Sequence, residues 1–459
     1  MKLPGASPVG HTVIKHIRMG LALFLLLLIY DGALRKWVLP SAEQLLFIAK
    51  DALLFGLLVY AALNRARQRN ASIPPAARAL FLLYAAWVLL ESGNLNLPNP
   101  LVGIWGIKAH LLYASLILLI PMAFANLDSA LRWLVRIYPW VVVPVCALAF
   151  VQLASPANSF INQQVKGGMD MIAYFGESGL VRVTGTFSYI TGMASFVQAT
   201  TVLGMGLFLG GVRSRSFLVG LGFALAALPA TGSRSVIAVA AVSAVIMLFA
   251  ALAARLIGTR LAVRVIAVIT ILGAISLHTQ DAAWVALQQR AASAAESAGD
   301  TSRVFSAFTN AFSFFDTAGF FGFGSGSANM GSPALAKGVA PFSWLPAGTY
   351  FEEESGRLVL ELGMFGWLFS LAMRIALFSW SATVAMKGRT RTVRAAGVLA
   401  LPVMALGMYA GNGVYVPPVG AAYYWFCVAL LAMAQFEHRQ ALVQRAHFRA
   451  QQLHAAVNQ

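Results

Sequence analysis

Three arginines occupy similar positions along the sequence, and their surroundings suit a bound phosphate group. Arg182, Arg234 and Arg303 each lie at or near the mouth of a predicted helix, in connections that are otherwise poor in basic residues. Arg234 lies in the hydroxyl-rich turn 231–235, where the free N–H groups and the positive dipole end of a helix favour an anion. A guanidinium group adds a planar, bidentate and permanently charged partner. The alternative is that these arginines extend to lipid headgroups or pair with loop carboxylates.

Acidic residues cluster shortly before a helix that is predicted to begin near residue 356. Glu352, Glu353 and Glu354 are consecutive, and Arg357 follows them. We predict that one of these carboxylates is a general base that accepts a proton from a substrate hydroxyl. Arg357 is predicted to be a further phosphate ligand, or to hold a glutamate in place. The alternative is structural, because acidic residues stabilise a helix N-terminus through the helix dipole.

Other common catalytic patterns do not stand out in the sequence. No His, Asp and Glu residues have the spacing of a metal site. The glycine-rich run 322–327 is not a P-loop, because no Gly-Lys-Ser/Thr sequence follows it. Cys146 and Cys427 both lie in apolar runs, which argues against a disulfide framework. Lys50 and Asp51 are neighbours inside a predicted span, and we expect them to compensate charge structurally. We predict a site without metal or cofactor.

The elements that must position these residues are membrane helices. The chain has 459 residues, of which 59% are hydrophobic and 11% are charged, whereas about 25% of the residues of a soluble domain are charged. Apolar windows of about twenty residues recur, and each is long enough to cross a bilayer. We predict an all-α polytopic membrane protein with about twelve transmembrane helices. They cover residues 18–34, 43–63, 78–92, 103–123, 131–153, 186–211, 216–231, 234–254, 261–278, 356–381, 395–411 and 418–436.

The basic residues indicate the orientation of the spans. The net charge is +17, and most Lys and Arg residues fall in alternate short connections, which the positive-inside rule assigns to the cytoplasm. This distribution accounts for the charge without a nucleic acid partner. Both termini are then cytoplasmic, and the first helix is retained rather than cleaved as a signal peptide. The basic tail 437–459 is expected to lie along the inner membrane surface.

A single integral membrane domain, residues 1–459, with one external cap is the simplest division of the chain. The cap is the large loop 279–355 between the ninth and tenth spans, on the side opposite to the termini. Long extramembrane loops carry function more often than the hydrophobic helices that support them. We therefore expect loop 279–355 to cover the site.

The layout and several short motifs resemble the superfamily of O-antigen ligases and Wzy-type polysaccharide polymerases. The shared layout is about twelve spans, one large external loop late in the chain, and external arginines. Short segments add to the similarity, most of them at the ends of predicted spans. They are Arg-Val-Thr-Gly-Thr-Phe at 182–187, Thr-Gly-Ser-Arg-Ser at 231–235, Arg303 with Gly-x-Gly-x-Gly at 322–326, Glu-x-Gly-x-x-Gly at 361–366, and Asp-Gly-Ala-Leu-Arg-Lys-Trp at 31–37.

The resemblance implies a bacterial inner-membrane enzyme that takes a glycan from undecaprenyl diphosphate on the periplasmic face and joins it to an acceptor sugar. It also implies that Arg182, Arg234 and Arg303 bind the diphosphate and stabilise it as the leaving group. Ligases of the superfamily carry a histidine late in the external loop, whereas this loop has none after His278 and has Glu352–Glu354 instead. We therefore favour a polymerase of O-antigen or exopolysaccharide units over a ligase that joins glycan to lipid A-core.

Two other classes of function stay open. A transporter or flippase of lipid-linked sugars often shows internal repeats and broken helices that meet at mid-membrane, and this sequence has no convincing repeat. A non-catalytic scaffold in a polysaccharide assembly complex is the third hypothesis. The expected partners are the undecaprenyl-diphosphate-linked oligosaccharide, membrane lipids, and a chain-length regulator or other polysaccharide assembly proteins.

Overall fold

The protein is a multi-pass helical membrane protein, as the composition predicts. The computed structural model describes residues 8–64, 70–165, 172–174, 180–264, 311–346, 354–408 and 417–457, with single residues at 267, 271 and 309. Within these ranges the regular elements are helices, and nine of them are long and apolar enough to cross a membrane. The nine candidate spans are Thr12–Val38, Pro40–Leu63, Pro100–Ala123, Leu127–Leu153, Ile190–Gly210, Arg234–Ala253, Glu354–Lys387, Arg391–Met408 and Pro418–His447.

The helices are numbered here in chain order, because the site is built from their ends. They are α1 (Pro8–Ala33), α2 (Glu43–Leu63), α3 (Pro75–Glu91), α4 (Pro100–Leu111), α5 (Leu116–Ala123), α6 (Leu127–Leu153), α7 (Ile190–Gly210), α8 (Arg215–Ala230), α9 (Arg234–Ala253), α10 (Phe315–Ala318), α11 (Glu354–Lys387), α12 (Arg391–Met408) and α13 (Pro418–Val457).

The predicted count of twelve spans stays a prediction. Two of the twelve, 78–92 and 216–231, correspond to α3 and α8, which have 17 and 16 residues and are shorter than the nine candidate spans. A third, 261–278, lies mostly outside the described residues. Three predicted site residues, Arg303, Glu352 and Glu353, also lie outside them.

Helix α11 reverses its direction at Gly363. The backbone there has φ 66° and ψ −176°, and a Cβ atom would lie 2.1 Å from the Phe320 carbonyl oxygen. Glycine tolerates both conditions because it has no side chain. Hydrogen bonds on both sides of the reversal join it to the glycine-rich loop, since the Phe323 N–H donates to Leu360 O (2.7 Å) and the Met364 N–H donates to Gly319 O (3.0 Å).

The C-terminal end of α1 packs directly on the segment that precedes α7. At Gly32, a Cβ atom would lie 2.4 Å from the Ser188 backbone nitrogen, so the two backbones are in close contact. The Thr186 hydroxyl donates a hydrogen bond to Ile29 O at 2.6 Å. After α1 the chain widens into a π-helical turn over Leu34–Val38, a feature that often marks functional sites. Segments 31–37 and 182–187 are therefore packed against each other.

Candidate functional site

A polar cavity of about 470 Å³ lies among the ends of α1, α2, α7, α9, α11 and α13. Its charged lining residues are Asp31, Arg35, Lys50, Arg182 and Glu354. The lining also contains apolar residues and neutral polar side chains, and the polar ones can donate or accept hydrogen bonds. They are Ser188, Thr191, Ser195, Gln198, Ser233 and Ser235.

One wall of the polar cavity is a buried ion network at the end of α1. Lys50 Nζ lies 2.8 Å from Asp31 Oδ2, and Arg35 Nη2 lies 3.5 Å from the same oxygen. Arg35 also donates a hydrogen bond to the Ser188 hydroxyl. Among the described residues, its buried Nε has no hydrogen-bond acceptor. A buried donor without an acceptor is unfavourable. The guanidinium group of Arg35 contributes positive charge to the cavity lining, which favours an anionic ligand.

The segment that carries Arg182 is fixed by two neighbouring helices. Lys36 Nζ donates to Thr184 Oγ1 at 3.0 Å and to Gly185 O at 2.9 Å. From α6, the Gln152 side chain accepts from the Gly185 N–H at 2.7 Å and donates to Gly185 O at 3.3 Å. All of these polar groups are buried, so the hydrogen bonds are needed to stabilise them. The position of Arg182 beside the cavity is therefore set by residues far away in the sequence.

Arg182 lies beside the turn that contains Arg234. The Arg182 Nε group donates to Thr231 O at 3.4 Å. Ser233 and Ser235 line the polar cavity, and Arg234 is the partly buried first residue of α9 between them. Two of the predicted arginine motifs thus meet at one place, with Arg182 in the lining.

Glu354 lines the polar cavity and forms a buried ion pair with Arg374. Arg374 Nη1 also donates to Gly407 O at 2.6 Å, so the guanidinium group joins α11 to α12. Arg374 is not part of the lining, and it compensates the charge of Glu354 from behind. The remaining lining charges are three basic groups and Asp31, which gives the cavity an excess of positive charge that favours an anion.

Arg357 lies in a different, buried network from the polar cavity. Its Nε is 3.7 Å from Glu361 Oε1, and its side chain is not in the cavity lining. The other carboxylate oxygen of Glu361 lies 2.7 Å from His110 Nε2 and accepts the Gly326 N–H at 3.0 Å. His110 Nδ1 is 2.9 Å from the Tyr84 hydroxyl. The structure therefore does not bring Arg357 together with Arg182, and Glu361 connects α4, α11 and the glycine-rich loop.

Lys50 and Asp51 form ion pairs with different residues and not with each other. Lys50 pairs with Asp31, whereas Asp51 lies 2.8 Å from Lys108 Nζ and accepts the Tyr113 hydroxyl at 2.8 Å. Successive residues of a helix do not face one another, so two adjacent charges on α2 bind two different helices. The expected compensation is present, but it joins α1, α2 and α4.

An apolar groove of about 150 Å³ adjoins the polar cavity. Side chains of α1, α5, α6, α7 and α13 line it, and Leu28 and Val419 belong to the linings of both spaces. Along α1 the groove extends from Leu28 to Arg18, a distance of about 15 Å at the helical rise. A charged space and an apolar space therefore adjoin within the transmembrane bundle.

The described residues contain no group of three or more His, Cys, Asp and Glu side chains that could hold a metal ion. The nine long apolar helices within the described part of the chain define the class as a multi-pass membrane protein. No protein-family model matches the chain, and no curated protein matches it.

Proposed function

We propose that the protein is a membrane glycosyltransferase that polymerises lipid-linked polysaccharide repeat units on the periplasmic face of the bacterial inner membrane. The observation that carries this proposal is that an arginine-lined cavity adjoins an apolar groove, with Leu28 and Val419 in both linings. A lipid-linked diphosphate has the same two parts, a doubly charged head and a hydrocarbon chain. The resemblance of segments 182–187 and 231–235 to the polymerase and ligase superfamily favours undecaprenyl diphosphate as the lipid carrier.

The head group is proposed to bind between Arg35 and Arg182. Both guanidinium groups line the polar cavity, and each can hold phosphate oxygens in a bidentate geometry. Lys50 and the hydroxyl groups of Ser188 and Ser233 lie in the same lining. Because the cavity is partly shielded from water, these charges act more strongly on a diphosphate than they would at an open surface.

The proposed reaction exchanges one glycosidic partner for another. The oxygen of an acceptor sugar hydroxyl forms a bond to the anomeric carbon of the donor glycan, and the bond between that carbon and the phosphate oxygen breaks. The diphosphate leaves with the electron pair, and Arg35 and Arg182 stabilise its charge. The hydroxyl proton passes to a carboxylate. Glu354 is the described candidate, because it lines the polar cavity and Arg374 holds its carboxylate in place.

The experiment is complementation of a deletion strain with Arg35→Ala or Arg182→Ala, with the membrane level of each variant measured. We expect long-chain polymer to disappear and single lipid-linked repeat units to accumulate on the periplasmic face. The matched control is Arg132→Ala, because Arg132 is exposed on α6 and pairs only locally with Asp128. This control is expected to retain wild-type polymer.

The location and fate of the repeat units separate the alternatives. If lipid A-core still receives single units while polymer is lost, a polymerase is supported and a ligase is excluded. If polymer forms on the carrier but lipid A-core stays bare, the protein is a ligase. If units accumulate on the cytoplasmic face, it is a transporter. If both arginine variants produced the wild-type amount of long-chain polymer, the proposed diphosphate site would be refuted.

A further inference from the structure

Three phenylalanines of the loop that precedes α11 are exposed close to α3 and α11. Phe312, Phe320 and Phe321 have exposed fractions of 62%, 50% and 58%. Phenylalanines of a loop surrounded by water are usually covered, and clustered exposure of apolar rings marks an interaction surface. We refer to these three side chains as the aromatic face.

The aromatic face is joined to the transmembrane helices by ring contacts. Phe321 stacks on Trp87 of α3 at a centroid distance of 5.7 Å, and Phe312 meets Trp367 of α11 edge-on at 5.6 Å. Phe320 lies 5.0 Å from the Phe365 ring of α11. The Trp87 indole N–H donates to Leu362 O at 2.8 Å. The loop is therefore packed at the external ends of α3 and α11.

Helix α11, which packs against the aromatic face, also exposes apolar side chains. Leu368, Ile375 and Met386 are exposed apolar residues at helical spacing on a helix that is long enough to span the membrane. Leu368 follows Trp367, the partner of Phe312, directly in the sequence. On the adjacent α3, the exposed Leu90 lies one turn from Trp87, which stacks on Phe321. Exposed apolar residues thus lie on α3 and α11, the two helices whose rings pack against the aromatic face.

Polar residues alternate with the phenylalanines in the same loop segment. Ser313, Asp316 and Thr317 are exposed between Phe312 and Phe320. A segment that exposes both aromatic and polar side chains is suited to the boundary between lipid and water, where aromatic rings are enriched.

From these observations we infer that the segment 311–321 lies in the headgroup region of the outer leaflet, with the aromatic face against lipid. The occupant of this surface is bilayer lipid, because the aromatic face packs on α11, a helix that is long enough to span the membrane and exposes apolar side chains. Gly319 within the segment and Gly322 directly after it meet the reversal at Gly363. The membrane surface therefore anchors the loop at the point where α11 turns. This inference does not depend on the proposed activity.

The test uses nitroxide labels on single cysteines in the full-length protein in liposomes. Phe312→Cys, Phe320→Cys and Phe321→Cys report on the aromatic face, and Thr317→Cys reports on the polar side. Lys337→Cys and Val339→Cys are controls, since both residues are exposed in the same loop outside the aromatic face. The parent protein is the labelling blank, because its own thiols, Cys146 and Cys427, are buried.

Collision rates with oxygen and with a water-soluble nickel chelate distinguish the environments. At the three phenylalanine positions, we expect the collision rate with oxygen to exceed the collision rate with the nickel chelate. These labels are expected to lie about 5–10 Å below the headgroup boundary. At Thr317, Lys337 and Val339, we expect the collision rate with the nickel chelate to exceed the collision rate with oxygen. Nickel accessibility equal to the controls would overturn the inference. Low accessibility to both reagents would also overturn it, because a second copy or a protein partner would then cover the face. If one variant does not fold, the other two positions decide.

Discussion

Glu354 and Arg374 form a buried ion pair, although they are 20 residues apart within one helical segment. In a straight α-helix this separation corresponds to about 30 Å. The contact exists because α11 reverses at Gly363 and returns alongside its own first turns. The position of a carboxylate in the polar cavity therefore depends on the conformation of one glycine that is not in the lining.

Replacement of Gly363 by alanine is predicted to destabilise the protein. The positive φ angle alone costs about 1–3 kcal/mol for a residue with a side chain, and the added Cβ would approach Phe320 O to 2.1 Å. A lower melting temperature of the purified protein in detergent is the expected result. Gly222→Ala on α8 is the control, because a Cβ atom there meets nothing within 4 Å. Equal melting temperatures for the two variants would contradict the reversal at Gly363.

The Glu354–Arg374 pair is predicted to behave as one energetic unit. Glu354→Gln and Arg374→Gln each leave a buried charge without its partner, which costs about 3–5 kcal/mol. The double variant removes both charges, so its free energy of unfolding is expected to fall by less than the sum of the single effects. A thermodynamic cycle from chemical unfolding of the four proteins measures this coupling. Strict additivity would show that the two charges do not interact.

Arg35 is predicted to require a guanidinium group rather than positive charge alone. Arg35→Lys retains the charge but loses the planar fork that holds two oxygens. A lost charge-assisted hydrogen bond costs about 1.5–3 kcal/mol, so we expect KM for the lipid-linked donor to rise about tenfold or more. Transfer assays in proteoliposomes measure this, with Arg132→Lys as the control at an exposed site. A donor KM that stays at the wild-type value would remove Arg35 from the site.

The apolar groove is predicted to bind the hydrocarbon chain of the donor. Ala422 lines this groove on α13, and Ala422→Phe would fill part of its volume of about 150 Å³. We expect weaker binding of donors with long lipid chains and little change for donors with short chains, because only long chains reach the groove. Gly222→Phe on α8 is the size-matched control at an open position. The same loss for long and short donors would instead indicate general misfolding or a different lipid path.

The polar cavity was partly predictable because some of its residues lie in local motifs at helix ends. Arg182 and the turn 231–235 were recognisable from hydroxyl and glycine residues next to arginine, and these segments are in contact. Glu354 stood out as part of an acidic cluster, and it lines the same cavity. These motifs can be recognised in the sequence because the unpaired N–H groups of a helix N-terminus need partners, and neighbouring residues often supply them.

The remaining wall of the cavity could not be predicted, because its contacts join distant parts of the chain. Arg35 and Asp31 act together with Lys50 on the next helix. His110 and Glu361 are separated by 251 residues, and nothing in either local sequence indicates that they meet. Arg357 looked similar to the other external arginines, but the return of α11 carries it into the buried network around Glu361. Sequence spacing cannot reveal partners that only tertiary packing selects.

The charges at the C-terminal end of α1 also imply an order for membrane insertion. Asp31 and Lys50 belong to the first two spans, so they can neutralise each other as soon as this hairpin has been synthesised. Thr184, which accepts a hydrogen bond from Lys36, is synthesised only 148 residues later. Because chains are made from the N-terminus and an uncompensated charge within the bilayer is costly, we expect Lys36 to stay at the aqueous surface until α7 arrives. The cavity wall is then completed late in biogenesis, when the segment before α7 reaches the first helix.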